Sequence, residues 1–164
     1  MPDEVDRLVA AWQRERPDLD VRPLEVLSRV TRLAHHLDRA RSTAFATHSL
    51  ETWEFDVLAA LRRAGPPYLL SPGQLVAQTL VTSGTMTHRL NRLEERGLVE
   101  RLPDPSDRRG VRVRLTGRGR QRVDAALADL LDRERELLRG LSLAEQRALS
   151  SALRRLVAPF EVDG

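Results

Sequence analysis

The sequence predicts a mainly α-helical chain carrying one small β-hairpin. Three observations predict it. Apolar residues recur at i, i+3, i+4 and i+7 through most of the 164 residues, the stripe of an amphipathic helix. One segment breaks that rhythm: after Gly97 the chain runs LVERLPDPSDRRGVRVRLT, where Val111, Val113 and Leu115 alternate with Arg112 and Arg114 as in a strand with one buried face. Helix-start signatures stand at Asp3, Ser71, Thr82 or Ser83, Thr116 and Ser142.

Each element follows in order. Behind Asp3, the spacing of Val5, Leu8, Val9 and Trp12 predicts a helix over 3–15, stopped by Pro17. A long amphipathic helix carries Leu24, Leu27, Val30, Leu33, Ala34, Leu37 and Phe45 on or near one stripe. A third helix over 50–64 has Trp53, Val57, Leu58 and Leu61 on its apolar side and ends at Gly65-Pro66-Pro67. Ser71-Pro72-Gly73-Gln74 combines an N-cap Ser, Pro at the first helical position and Gln three residues after the cap. The short helix it opens leads through Thr79-Leu80-Val81 to a second helix over 83–96. Two short helices joined so tightly are a helix-turn-helix, and the hairpin that follows, with 103–110 as its loop, completes the outline of a winged helix-turn-helix. Thr116 then caps a helix running to Leu138 and closed by Gly140. Ser142 and Glu145 start a last helix with Leu149, Leu153, Leu156 and Val157 as its stripe, ending near Pro159-Phe160.

Composition narrows the function classes. With 41% hydrophobic and 31% charged residues and no apolar run near the roughly 18 residues of a membrane span, the chain is expected to be cytoplasmic, with no membrane partner and no signal peptide. The absence of Cys excludes a disulfide framework, a thiolate metal cluster and a cysteine redox switch. All 27 basic residues are Arg, and they are unevenly placed. Residues 82–122 hold 11 Arg against 5 acids, whereas the segments on either side are slightly acidic. A positive patch on an otherwise near-neutral chain is the footprint expected for phosphate. No Gly-rich phosphate loop, GxSxG elbow or HExxH occurs, and His35, His36, His48 and His88 lack a ligand pattern, so neither an enzyme, a metal site nor a cofactor is expected.

On a wheel at about 100° per residue, Met86, Leu90 and Leu93 gather on one side of the helix over 83–96 and hold it to the domain. Gly84, His88, Asn91, Arg92 and Glu95 fall opposite, flanked by Thr85 and Thr87. A face that is small and polar near its N-terminal end suits close approach to base edges, so Ser83, Gly84, Thr85, Thr87, His88, Asn91 and Arg92 are the candidate DNA-reading residues. On the hairpin, Arg108 and Arg109 are candidates for a narrow minor groove, with Arg112 beside them. The long N-terminal and C-terminal helices exceed what this domain needs for its own core. They are expected to pack against a second copy, giving a division into dimerisation helices at 1–48 with a ligand pocket, a winged helix-turn-helix at 49–116, and further dimerisation helices at 117–164.

The segment SPGQLVAQTLVTSGTMTHRLNRLEERGLVERLPDPSDRRGVRVRLT closely resembles the MarR family of dimeric transcriptional regulators, and the flanking helices match its layout over nearly the whole chain. The specific elements are the TSGTMTHRLNRLEERGLVER recognition segment and the DPSDRRGVRVRLT wing. The resemblance implies a homodimer that binds a palindromic operator on double-stranded DNA, as a repressor or an activator with repression the expected sign, and is released by a small anionic or aromatic ligand. A narrower resemblance, to the urate-responsive branch with an extra N-terminal helix bearing a Trp, implies a ligand site made of Trp12, Asp56, Arg89 and Arg101. The ligand is then urate or a carboxylate metabolite such as citrate or aconitate. Independently, Asp56 interrupts the apolar stretch WEFDVLAAL, where a buried carboxylate needs a partner, and Arg is the natural one. Arg89 lies about 60° from Met86 on the wheel, nearer the core than the groove. The competing readings are that Trp12 is a core residue, Asp56 and Arg89 a structural pair, and Arg101 a phosphate contact. A winged-helix protein-interaction module without a DNA target is the alternative function.

Overall fold

The computed structural model describes residues 1–161, apart from the side chains of residues 108 and 109. Among these the elements are α1 (Glu4–Glu15), α2 (Arg22–Thr47), α3 (Thr52–Arg63), β1 (Leu69–Leu70), α4 (Pro72–Thr79), α5 (Ser83–Glu95), β2 (Val99–Asp104), β3 (Asp107–Leu115), α6 (Gly117–Leu138) and α7 (Leu143–Glu161). The mainly helical fold with a small sheet agrees with the sequence pattern.

Local chemistry sets the helix starts. Asp3 accepts from the Asp6 amide at 2.9 Å while Asp6 accepts from the Asp3 amide at 2.7 Å, a reciprocal cap on α1. Ser71 and Gln74 do the same for α4, and Ser142 and Glu145 for α7. Thr82, not Ser83, caps α5 by accepting from the Thr85 amide at 3.2 Å. Gly97 ends α5 with a φ of 65°, and the Leu98 N–H donates to the Leu93 carbonyl at 2.9 Å. That left-handed step turns the chain directly into β2.

The main core lies under α5. Met86, Leu90 and Leu93 are buried with Val57, Leu58 and Leu61 of α3, Leu75 of α4, Leu98, Val99 and Val113 of the sheet, and Val123, Ala126 and Leu130 of α6. Phe45 of α2 stacks on Phe55 of α3 with ring centroids 4.0 Å apart. The buried carboxylate of α3 is Glu54 rather than Asp56, which remains half-exposed. The reason is helical spacing, since Glu54 precedes Val57, Leu58 and Leu61 by three, four and seven residues and shares their face. Glu54 accepts from the Glu51 amide at 2.9 Å and pairs with Arg96, whose guanidinium also donates to the Ser49 carbonyl at 2.6 Å.

The three strands form one antiparallel sheet in the order β1-β3-β2. β1 pairs Leu69 with Arg114 and Leu70 with Val113, and at two residues it is too short to show alternation in the sequence. The wing turn is also tighter than the expected loop over 103–110: β2 and β3 pair from Val99↔Leu115 to Asp104↔Asp107, leaving Pro105 and Ser106 between them. Ser106 closes it by donating its amide at 2.9 Å and its hydroxyl at 2.7 Å to one Asp104 oxygen. Val113 and Leu115 are buried as expected, but Val111 is exposed because the end of the wing projects past the core.

Outside this core the helices behave differently. α1 packs on α2 through a small separate cluster of Val5, Val9, Val21 and Leu24, bounded by Arg29, which reaches Asp3 at 2.8 Å and Asp6 at 2.6 Å. The stripe of α2 and α7 remains open. Val26, Val30, Leu33, Leu37, Leu149 and Leu153 line an apolar groove of about 530 Å³, and among the described residues α7 buries no side chain.

Candidate nucleic-acid interface

α5 is aimed outward by the three apolar residues beneath it. Ser83, Gly84, Thr85, Thr87, His88, Asn91 and Arg92 are all exposed on it. A Cβ on Gly84 would meet nothing within 4 Å, so its surface is open to a ligand. The Thr87 hydroxyl donates to the Ser83 carbonyl at 3.0 Å, which draws it against its own helix.

Arg92 and Asn91 are held by neighbours. Arg92 donates to Glu51 at the start of α3 at 2.8 Å, and its guanidinium lies 5.0 Å from the Trp53 ring centroid. Arg89 lies over the same ring at 5.4 Å. The Trp53 indole N–H donates to Glu51 at 2.7 Å. The indole bond and the Arg92 guanidinium, in that order, hold the Glu51 carboxyl below the usual carboxylate range. Glu51 and Trp53 therefore form a clasp on α5, a role that nothing in the local pattern of α3 signals. Asn91, on the wing side, accepts from Arg101 at 2.7 Å.

On the wing, Arg112 is paired with Asp104 at 2.6 Å rather than standing free, and Arg114 with Glu100 at 2.8 Å. Asp104 has its carboxyl lowered to about 2, first by the Ser106 hydroxyl, then by the Ser106 amide and Arg112. Arg108 and Arg109, the other two wing candidates, have side chains that lie outside the described residues.

Behind α5 lies a cavity of about 620 Å³ lined by residues of α2, α3 and α5, among them Ser42, Trp53, Asp56 and Arg89. Asp56 and Arg89 thus share one space, yet they do not pair: Asp56 faces Arg41 of α2 at 3.5 Å, because α2 passes closer to that side of α3 than α5 does. Arg101 is elsewhere, donating to Glu94 at 2.5 Å and to Asn91 from the base of the wing. Trp12 stands 48% exposed on α1, outside the residues that line the cavity. Within one chain the four residues implied as a ligand set are therefore divided, with two in the cavity, one between wing and α5, and one on the N-terminal helix.

Known proteins share this fold. Residues 48–110 match the MarR family profile. The HTH-type transcriptional regulator PecS of Dickeya dadantii is 39% identical over 153 residues, which cover 93% of this chain and 92% of PecS. The chain belongs to the MarR family. A MarR variant of Escherichia coli, solved in complex with operator DNA, aligns with a TM-score of 0.69 at 28% identity, covering 85% of this chain and 99% of that one. BpsR of Bordetella bronchiseptica, whose structure concerns regulation of DNA binding by 6-hydroxynicotinic acid, aligns at 0.60 with 29% identity over 78% of this chain and 98% of BpsR. This member of the MarR family is a DNA-binding transcriptional regulator, which sets aside the interaction module without a DNA target. These relatives are regulators, not enzymes. Among the described residues no helix is long and apolar enough to cross a membrane.

Proposed function

We propose that this MarR-family regulator is a repressor that binds a palindromic operator as a homodimer and is released by a small anion of the urate or carboxylate class. The observation that carries the reading is the cavity holding Asp56 and Arg89, because Arg89 belongs to α5 itself. An anion in that space attracts Arg89 away from the Trp53 ring and is repelled by Asp56, so occupancy acts directly on the helix that reads DNA. Release requires that the anion bind the DNA-incompetent arrangement more tightly, by the factor in which operator affinity falls. The division into dimerisation helices at 1–48 and 117–164 around a reading unit at 49–116 belongs to the same proposal, supported by the open groove between α2 and α7. A two-fold pair of such units places its recognition helices about 34 Å apart, one turn of duplex. Trp12, exposed on α1, joins the ligand site only through a rearrangement or a second copy.

On this reading, Ser83, Gly84, Thr85, Thr87, His88, Asn91 and Arg92 meet bases or phosphates from α5, with Arg108, Arg109 and Arg112 contributing from the wing, a reading supported by the exposure of the α5 residues. The test is operator affinity measured by fluorescence anisotropy during a urate titration, repeated with citrate. The expected result is a progressive loss of affinity with one of them, abolished in Arg89→Ala while that variant retains its fold and its affinity without ligand. Unchanged affinity with both anions refutes the ligand class, and a wild-type response in Arg89→Ala refutes the route through α5.

A further inference from the structure

Two carboxylates from the start of α3 reach α5, and they differ in burial. Glu54 is fully buried and pairs with Arg96 inside the winged unit. Glu51, the N-cap residue of α3, is half-exposed, and so is the Arg92 guanidinium that it holds at 2.8 Å. An ion pair this open to water contributes little to stability. Its consequence lies in where it stands. Of the exposed candidate readers on α5, Arg92 alone carries a permanent positive charge, and Glu51 compensates that charge from another helix.

The carboxylate is itself held in place. Its second oxygen accepts from the Trp53 indole N–H at 2.7 Å, and that bond together with Arg92 keeps the carboxyl below its usual range, so Glu51 is ionised at neutral pH. The Trp53 ring centroid lies 5.0 Å from the Arg92 guanidinium, which gives Arg92 a platform independent of Glu51. What Glu51 adds to the platform is a negative charge. Duplex phosphate seeks the same cation, and Arg92 can meet it in two ways. If Arg92 stays on Glu51 and uses its other N–H donors, the carboxylate is brought up to the duplex and repelled by it. If Arg92 leaves, the ion pair is forfeited. On either route the charge of Glu51 subtracts from operator affinity.

We propose that Glu51 is a positioning residue that limits operator affinity through Arg92, keeping the one permanent charge among the α5 readers compensated until duplex phosphate competes for it. The inference rests on α5 being the base-reading surface, as proposed above. Glu54, by contrast, serves the fold, because its partner Arg96 neutralises a carboxylate that water does not reach.

The experiment measures affinity by fluorescence anisotropy for a duplex that the wild-type protein has selected from a randomised pool. The variants are Glu51→Gln, Arg92→Ala and the two combined, with helical content checked by circular dichroism. Gln is close to Glu in shape and keeps an acceptor oxygen for Arg92 or the indole, but it carries no charge. In the expected result Glu51→Gln binds about fivefold more tightly than wild type, the upper end for releasing an exposed ion pair. Arg92→Ala binds more weakly, and the combined variant binds no better than Arg92→Ala alone. Unchanged or weaker binding in Glu51→Gln overturns the proposal, since Glu51 then prepares Arg92 for the duplex instead of withholding it. A gain that survives in the combined variant, judged against Arg92→Ala, overturns it too, because the carboxylate then acts on the duplex without Arg92. Should Glu51→Gln fail to fold, Glu51→Ala takes its place, and unfolding of both overturns the proposal by making the pair structural. If neither Arg92→Ala nor Asn91→Ala changes affinity, the assignment of this face of α5 fails, an outcome distinct from failure of Glu51 alone.

Discussion

The winged unit and the helices around it use apolar residues in opposite ways. From α3 to the first half of α6, the stripes close on one another: Leu58, Leu61, Met86, Leu90, Leu93 and Val113 are fully enclosed by this chain. Along α7 an equally regular stripe stays in solvent, with Leu156 49% and Val157 46% exposed, and its Leu149 and Leu153 line the open groove with α2. One region is a finished core and the other is half of one. A stripe of that length has no reason to persist on a lone chain, because exposed apolar surface of this extent marks an association site. The winged unit encloses its own core, whereas the flanking helices leave theirs open, as the proposed homodimer requires.

The sharpest break in this comparison comes from charge placed on the open stripe. Leu33→Glu combined with Leu153→Glu is expected to convert a dimer into a folded monomer, halving the mass seen by light scattering at unchanged helical content and greatly weakening operator binding. A wild-type protein that already has the monomer mass removes the distinction between the two regions. Next in size is Arg96→Met, which strands the buried Glu54 carboxylate inside the winged unit. It should cost about 3–5 kcal/mol in denaturant unfolding, whereas removing an exposed partner from the α1–α2 ladder, as in Arg32→Met, should cost about 1 kcal/mol or less. Similar losses at the two sites would show that burial does not separate the regions.

Gly119→Ala gives a smaller effect of the same kind. A Cβ there would lie 2.1 Å from the Leu98 carbonyl oxygen, so α6 must move off the strand. The expected loss is about 2–3 kcal/mol by thermal or chemical unfolding. The same change at Gly140, where a Cβ meets nothing within 4 Å, should leave stability nearly unaltered. The smallest effect is acid dependence. Asp104 on the wing and Asp3 on α1 are both lowered from 3.8 to about 2. Because the folded value is depressed, their contribution is complete above the unfolded value and is lost as pH falls from about 4 through about 2. Side-chain carboxyl titration by NMR should give midpoints near 2 at both sites, and Arg112→Gln should raise the first while leaving the second in place.

Much of the fold was legible because its signals are local. The cap at Ser71 with Gln74, the stop at Gly97 and the alternation of Val113 and Leu115 with Arg112 and Arg114 each involve residues within a few positions of one another. The polar face of α5 followed from the position of Met86, Leu90 and Leu93, and the exposure of Asn91 and Arg92 agrees with it. The candidate ligand set was legible only in part. Arg89 does turn toward the cavity with Asp56, but the partner of Asp56 proved to be Arg41, and Arg101 was drawn to Glu94 and Asn91. Asp56 also drew attention that belonged to Glu54, since composition identifies a costly carboxylate but only helical phase identifies which one is buried.

The sequence by itself determined where helices begin and end, which side of each is apolar, and that a basic hairpin follows α5. Those properties depend on backbone periodicity and on hydrogen bonds a few residues long. Only the tertiary structure decided that Glu51 and Trp53 clasp Arg92, that Arg101 joins Glu94 and Asn91, that a two-residue strand joins the wing, and that Gly119 must lack a side chain. Each of these joins residues brought together by the angle at which one element crosses another, and that angle is the outcome of packing the whole core at once.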